Sequence, residues 1–585
     1  MGPLRVENGE FPTFLLPDRK LVRIEADDVV SARSGSNIRH PCLFCEHSDD
    51  GNLLFTAYQL QTKQRHRMGA VVSIARSPLV RTQSGPIRGR EYLLNDGRVV
   101  DMYMGIPYAE PPLGKLRFQF LNIVGKDEAN CLTLNVFTPR WRENTDKKFA
   151  VMVWVHGGGF SIHSSSNYGD TSIARNLCVK DVVVVSMNYR LGPFGFFTTG
   201  DDVCRGNLGL WDQTLALQWV HDNIEAFGGD PDNVTVFGQS AGGASADLLA
   251  ISPHSRDLFH RVIPMAGCGE CDFAMRTSEA QAKLCREFAR YLGWTGEDDD
   301  SEGLLHFMQA QPSSRLEVGI HPKKGFHHSQ SGNLYFVPNF DGDFFPRPMA
   351  ELRREGPRKP IMCGTTENEG LFFVALGGFP KTTEGFRRFC NRIFRECDYG
   401  SDEESVRKDV YDFYLKDVDP KDRGKVTERM VELMGDYAIN AGMMRYVRKM
   451  SEIGNDVFFY CFEYYNPDGF GFLRFMLPFK GATHCSELRY VLGKGIFAKF
   501  RPNDADLEMI DIMTTFFTNF AKFGNPNGDM SVSDDHQLWE QYDPKQPFRH
   551  LRVQLPMPAM ADDYQRRRTE FWDKIFARNR AKAML

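Results

Sequence analysis

Four short stretches hold the side chains with which this chain could attack a carbonyl. The first is Gly238-Gln239-Ser240-Ala241-Gly242, which follows the apolar run 234–237 and precedes small, helix-competent residues. Glycines have no Cβ, so the chain can turn sharply there and leave a serine hydroxyl exposed. A serine alcohol attacks only when a base takes its proton, and the base works best when an acid orients it. His484 in "FKGATHCSELRYVLG" is the candidate base, and Glu367 and Glu369 in "CGTTENEGLFF" are candidate acids. Spacing alone does not choose between those two carboxylates. The fourth stretch, "HGGGF" from His156 to Phe160, can turn backbone N–H groups toward a developing oxyanion. It lacks the G-K-[ST] of a phosphate loop. Singly, each stretch also reads as a tight turn, a glycine-rich loop, a surface carboxylate or a structural histidine.

What must position these residues is a sheet. Residues 149–155, 181–189, 234–237, 261–267, 359–364 and 456–465 are short runs, β-branched or aromatic, bounded by turn residues. Continuous apolar strands of this kind suit a parallel sheet covered on both faces. Between them, Trp211, Leu215, Trp219 and Phe227 recur at helical spacing along one face. A second helix through 505–523 stops at Gly524 and Pro526. Strand–helix alternation without an internal repeat predicts one large α/β domain with a mostly parallel central sheet and helices on both faces. Three of the polar stretches fall just past strands, where open α/β sheets bind ligands. The chain order serine, acid, histidine is that of the α/β-hydrolases.

Length and composition agree with a globular enzyme and exclude some other classes. The 585 residues can bury a large core, and a net charge of −5 has no basic excess, so nucleic acid is not an expected partner. No apolar run approaches the ~18–20 residues of a membrane helix. Residues 1–75 are polar and weakly periodic and read as a poorly structured extension, with the catalytic domain expected over 76–585. Within the extension His40, Cys42, Cys45 and His47 lie close together, but a zinc site needs a second, separated pair of ligands. The N-terminal stretch lacks a secretory h-region, and thirteen cysteines are thinly spread. The sequon at Asn233 enters an apolar strand, so the expectation is a reduced, cytoplasmic protein. "MGAVVS" from Met68 matches an N-myristoylation signal on Gly69 if translation starts at Met68, which would give weak membrane association.

With these motifs in hand, the chain resembles the type-B carboxylesterases, relatives of the cholinesterases. The likeness runs from residues 84–118 through "CLTLNVFTP", "NYRLGPFGF", "GNLGLWDQTLALQWVHDNIEAFGGDP", "FGQSAGG" and "NEG" to "GATHCSELRYVLG". It implies the α/β-hydrolase fold and a serine carboxylic-ester hydrolase working through an acyl-enzyme on a small-molecule ester. It implies Ser240 as nucleophile, Glu369 as acid, His484 as base, and Gly158, Gly159 and Ala241 as oxyanion donors. No cofactor or metal is expected.

Three departures from the family pattern bear on substrate and setting. Gln239 stands where cholinesterases have a glutamate, and the interval 119–130 is a few dozen residues shorter than usual, without the choline-binding tryptophan. A choline ester would lose an aromatic face and a nearby negative charge. The disulfides of secreted members look absent: Cys131 lacks its loop partner, and no cysteine lies in 292–308. Residues 1–67 have no counterpart in the resemblance. Two other readings compete with the esterase. A catalytically silent adhesion protein on the same fold predicts a broken triad and a transmembrane helix. A lipase predicts an apolar lid.

Overall fold

All six expected runs form strands. From residue 76 on, the strands of the main sheet are, in chain order, β1 (Arg76–Thr82), β2 (Gly85–Leu93), β3 (Val99–Pro107) and β4 (Thr133–Pro139). Then come β5 (Phe149–Val155), β6 (Val182–Met187), β7 (Gly229–Gln239) and β8 (Arg261–Met265). The set ends with β9 (Ile361–Thr366), β10 (Val457–Phe462), β11 (His550–Val553) and β12 (Ala559–Ala561). This computed structural model describes residues 76–110, 131–141, 147–319, 325–326, 329, 334–377, 381–495, 498–530 and 538–579. Before residue 76 it describes only the backbone of strands Thr13–Leu15, Leu21–Arg23, Cys42–His47 and Leu53–Tyr58. Met68, Gly69, His40, the cysteine side chains at 42 and 45 and the interval 119–130 therefore lie outside the described residues.

Among these twelve the spatial order is β12-β11-β10-β9-β8-β7-β5-β6-β4-β3-β2-β1. From β11 to β6 every neighbouring pair is parallel. From β6 outward through β4, β3, β2 and β1 each pair is antiparallel, as is β12 on β11. The sheet is thus large and mostly parallel at its centre, with antiparallel flanks.

The central strands are apolar throughout because both faces are covered. In β5, Val151, Val153 and Val155 enter one core while Met152 and Trp154 enter the other. The period of two is preserved, and each side of the pleat has its own layer of helices. Helix α1 (Leu208–Asn223) lies in the first core, with Ala216, Leu217, Trp219 and Val220 buried. It is buried more broadly than the single face expected from sequence. Trp211 and Leu215 are only half-buried, and Phe227 belongs to a following short 3₁₀ turn. The reason is that this helix also hides polar groups. Asp212 is fully buried and grips the Arg190 guanidinium at 2.6 and 2.7 Å. On the other face, helix α4 (Asp504–Phe523) packs Met509, Met513, Phe517 and Phe520 and ends on Gly524 at φ 74°. Among the described residues no helix is long and apolar enough to cross a membrane, and no disulfide forms. Asn233 of the sequon sits on β7, where its side chain contacts Arg261 and the Lys522 carbonyl.

Candidate active site

Three loops past β5, β7 and β9 and the long connection after β10 meet at the carboxyl edge of the sheet. Ser240 stands between the last residue of β7 and helix α2 (Ala241–Ile251), at φ 59°, ψ −125°. A non-glycine residue held there costs roughly 1–3 kcal/mol and persists only when its surroundings over-determine it. Here its N–H donates to the Met265 carbonyl at 2.8 Å, at the end of the adjacent strand β8. The flanking glycines are required by close approach. A Cβ on Gly242 would stand 2.1 Å from the Val155 carbonyl oxygen, and one on Gly238 2.3 Å from the Gly242 oxygen. Helix α2 can therefore begin on top of β5 only if these positions carry no side chain. Ser240 is half-buried, and among the described residues its hydroxyl makes no hydrogen bond. Such contacts are often long before a substrate binds.

The glycine loop lies directly against this elbow: a Cβ on Gly157 would sit 3.3 Å from the Ser240 Cβ. Gly158 and Gly159 take φ of 113° and 59°, and the loop is shaped by Ser161 and Ile162 N–H groups donating to the Gly158 carbonyl at 3.0 Å. Its far side is tied to the neighbouring 189–192 loop. The Tyr189 hydroxyl donates to the His156 carbonyl at 2.7 Å, and Gly192 N–H to the Phe160 carbonyl at 2.7 Å. The N–H groups of Gly158, Gly159 and Ala241 donate no hydrogen bond among the described residues. Ala241 also opens an eleven-residue helix, whose dipole adds positive potential at that end.

Of the two candidate acids, only Glu369 meets the histidine. It opens helix α3 (Glu369–Leu376) just after β9, is fully buried, and its Oε2 lies 2.6 Å from His484 Nδ1. Its Oε1 accepts the Thr366 N–H at 2.6 Å, which fixes the carboxylate. Glu367 is exposed and makes no such contact. The histidine loop is pinned to the acid loop by a parallel bridge between Asn368 and Thr483. The Phe372 N–H donates to the Thr483 hydroxyl at 2.8 Å. Phe373 packs on the imidazole, ring centroids 4.9 Å apart. With Nδ1 turned to the carboxylate, the Nε2 lone pair is the one left for a proton.

Two features of the site were not singled out from sequence. Glu487, three residues past His484, is buried. Desolvation and the nearby Glu369 carboxylate hold its pKa up to about 8. Its position in the same short motif as His484 was the available signal. Behind the acid lies a polar cavity of about 260 Å³ lined by Glu367, Glu369, Glu432, Glu463 and Arg568, reaching neither Ser240 nor His484. A larger one, about 420 Å³, opens beside Pro360 and Asp456, which precede β9 and β10. It lies at the opposite edge of the sheet from the chemistry.

His156, at the root of the glycine loop, is expected to make stability pH-dependent. It is buried, stacks on Tyr189 at 4.5 Å, and desolvation pushes its pKa from 6.5 to about 3. The folded pKa is the lower one, so below about 6.5 the unfolded chain binds the proton that the folded chain refuses. This contribution is complete above pH 6.5 and is lost as pH falls toward 3. Between pH 7 and pH 5 the loss should be about 2 kcal/mol. Urea unfolding at both pH values checks it. The fall in His156→Gln should be smaller than in the unmodified protein, and an equal fall would refute the assignment.

A mostly parallel sheet with a strained serine elbow after one strand, a buried carboxylate after another and a histidine bonded to it is the α/β-hydrolase fold. The family model described as "Carboxylesterase family" matches residues 76–120 and 121–572. The chain belongs to the carboxylesterase family. The two matched segments meet at residue 120, inside the short interval noted in the sequence. "Esterase cest-33" of Caenorhabditis elegans is 45% identical over 532 residues, covering 85% of this chain and 94% of that protein. "Fatty acyl-CoA hydrolase precursor, medium chain" of Anas platyrhynchos is 29% identical, over 86% and 93%. "Acetylcholinesterase-1" of Trittame loki is 28% identical, over 87% and 96%.

Proposed function

We propose that this carboxylesterase-family enzyme hydrolyses carboxylic esters through a Ser240–His484–Glu369 triad. The observation that carries the reading is the 2.6 Å contact between His484 Nδ1 and the buried Glu369 carboxylate, beside the Ser240 elbow. In this mechanism His484 Nε2 takes the Ser240 proton as Oγ attacks the ester carbonyl. The oxyanion of the tetrahedral intermediate is met by the N–H groups of Gly158, Gly159 and Ala241. Collapse expels the alcohol, which leaves with the proton from His484, and an acyl-enzyme remains. Water then attacks that ester by the same route, with His484 as base, and releases the acid and free Ser240. Glu369 keeps its charge throughout and stabilises the imidazolium that forms at each half-reaction.

The substrate class proposed is a small uncharged ester with an apolar acyl group. Gln239 supplies no negative charge for a cationic alcohol, and Phe372 and Phe373 make the surroundings of His484 apolar. A fluorophosphonate probe followed by peptide mapping tests the nucleophile. Modification should fall on the peptide containing Ser240, and a labelled serine elsewhere would overturn the assignment. A series of p-nitrophenyl esters of increasing acyl length on the same protein then reads the acyl preference.

A further inference from the structure

The residue before the nucleophile touches the base. Gln239 is buried, and its Nε2 lies 3.3 Å from both Nδ1 and Nε2 of His484. An atom equidistant from both ring nitrogens at that range cannot lie in the ring plane without colliding with ring carbons. The amide nitrogen therefore sits over the face of the imidazole. Its orientation is fixed from the other end: the Cys485 thiol donates to Gln239 Oε1 at 3.1 Å. In this contact the thiol donates to the amide oxygen, so the oxygen lies on the cysteine side and the N–H groups are turned to the ring. Cys485 reaches this position by adopting φ 70°, a left-handed conformation that a β-substituted residue takes only under constraint.

We propose that Gln239, oriented by Cys485, is a positioning residue that directs an amide N–H dipole at the face of the His484 imidazole. The inference rests on the reading of His484 as base. Its physical content is a sign. A positive dipole end over the ring disfavours the imidazolium, whereas a carboxylate at the same place would favour it. The other titratable groups facing the ring are Glu369, bonded to Nδ1, and Glu487 on the same loop, with the Tyr460 hydroxyl near both carboxylates. Partial burial, with Glu487 and Glu369 nearby, holds the Cys485 thiol well above the usual thiol range, so it remains a protonated donor across the working pH.

The test is the pH dependence of kcat/KM of the full chain on p-nitrophenyl butyrate, with Ser240→Ala as background. Loss of activity at acid pH marks protonation of the base. In Gln239→Glu that limb should move to higher pH by about one unit or more, as expected for a carboxylate within a few ångströms. In Gln239→Met, which keeps the volume and loses the dipole, it should move the same way by less. Cys485→Ala frees the amide to rotate and should also raise the limb, while Cys485→Ser retains a donor and should leave it in place. A merely structural role would lower kcat without ordering the limbs in this way. Coincident limbs in all four variants, with Ser240-dependent turnover intact, would overturn the proposal alone. Absence of Ser240-dependent turnover in the unmodified protein would overturn it together with the triad reading. Should Gln239→Glu fail to fold, the Met, Ala and Ser variants decide.

Discussion

Ser240→Ala should lose ester hydrolysis by roughly 10⁴-fold or more in kcat/KM while the protein stays folded. The size follows from what the substitution removes. Without Oγ no acyl-enzyme forms, and only water held by the oxyanion donors and the bound geometry can still react. The fold should survive because Ser240 makes no side-chain hydrogen bond among the described residues, and the elbow is held by its backbone N–H on the Met265 carbonyl. Alanine retains a Cβ at φ 59°, so the local strain of the elbow is unchanged. Far-ultraviolet circular dichroism and the thermal midpoint check folding, and initial rates on p-nitrophenyl butyrate check activity. A folded variant retaining most of its turnover would mean that another residue is the nucleophile.

How much of this could be read from the chain differs between its parts. The six central strands were legible because a strand buried on both faces needs no partner information: an apolar β-branched run bounded by turn residues suffices. The antiparallel flank was less so, since Gly85–Leu93 mixes Arg88, Arg90 and Glu91 with apolar residues at a half-covered edge. Helix α1 misled because its buried surface includes polar residues such as Asp212, which only the presence of Arg190 explains. At the site, residue types and chain order gave the candidates, and the choice between the two acids came from the family resemblance. The physical ground for that choice lies in three dimensions. Glu369 opens a helix and turns inward, while Glu367, two residues earlier, ends exposed. The contact of Gln239 with His484 spans 245 residues of sequence and depends on the left-handed Cys485. No periodicity carries that signal.

The two carboxylates supply the second large contrast. Glu369→Gln should lower kcat by about 10³–10⁴-fold with a much smaller change in KM, whereas Glu367→Gln should stay within about threefold of the unmodified protein. An amide at position 369 can still accept from the Thr366 N–H, so the loop should keep its shape. What it loses is the negative charge against His484 Nδ1, and with it the stabilisation of the imidazolium. An amide can also present N–H to the ring, which would place the histidine proton on Nε2 and leave that nitrogen no lone pair to accept one. The effect falls on the chemical step because Glu369 is fully buried behind the histidine and has no route to the bound ester. Glu367 makes no contact with His484, so its neutralisation leaves the histidine's partner in place. Steady-state kinetics of both variants at one pH well above the acid limb read the contrast directly. A damaging Glu367→Gln beside a harmless Glu369→Gln would transfer the acid's role to the other carboxylate. Equal and small losses in both would show that the 2.6 Å contact orients nothing that the reaction needs.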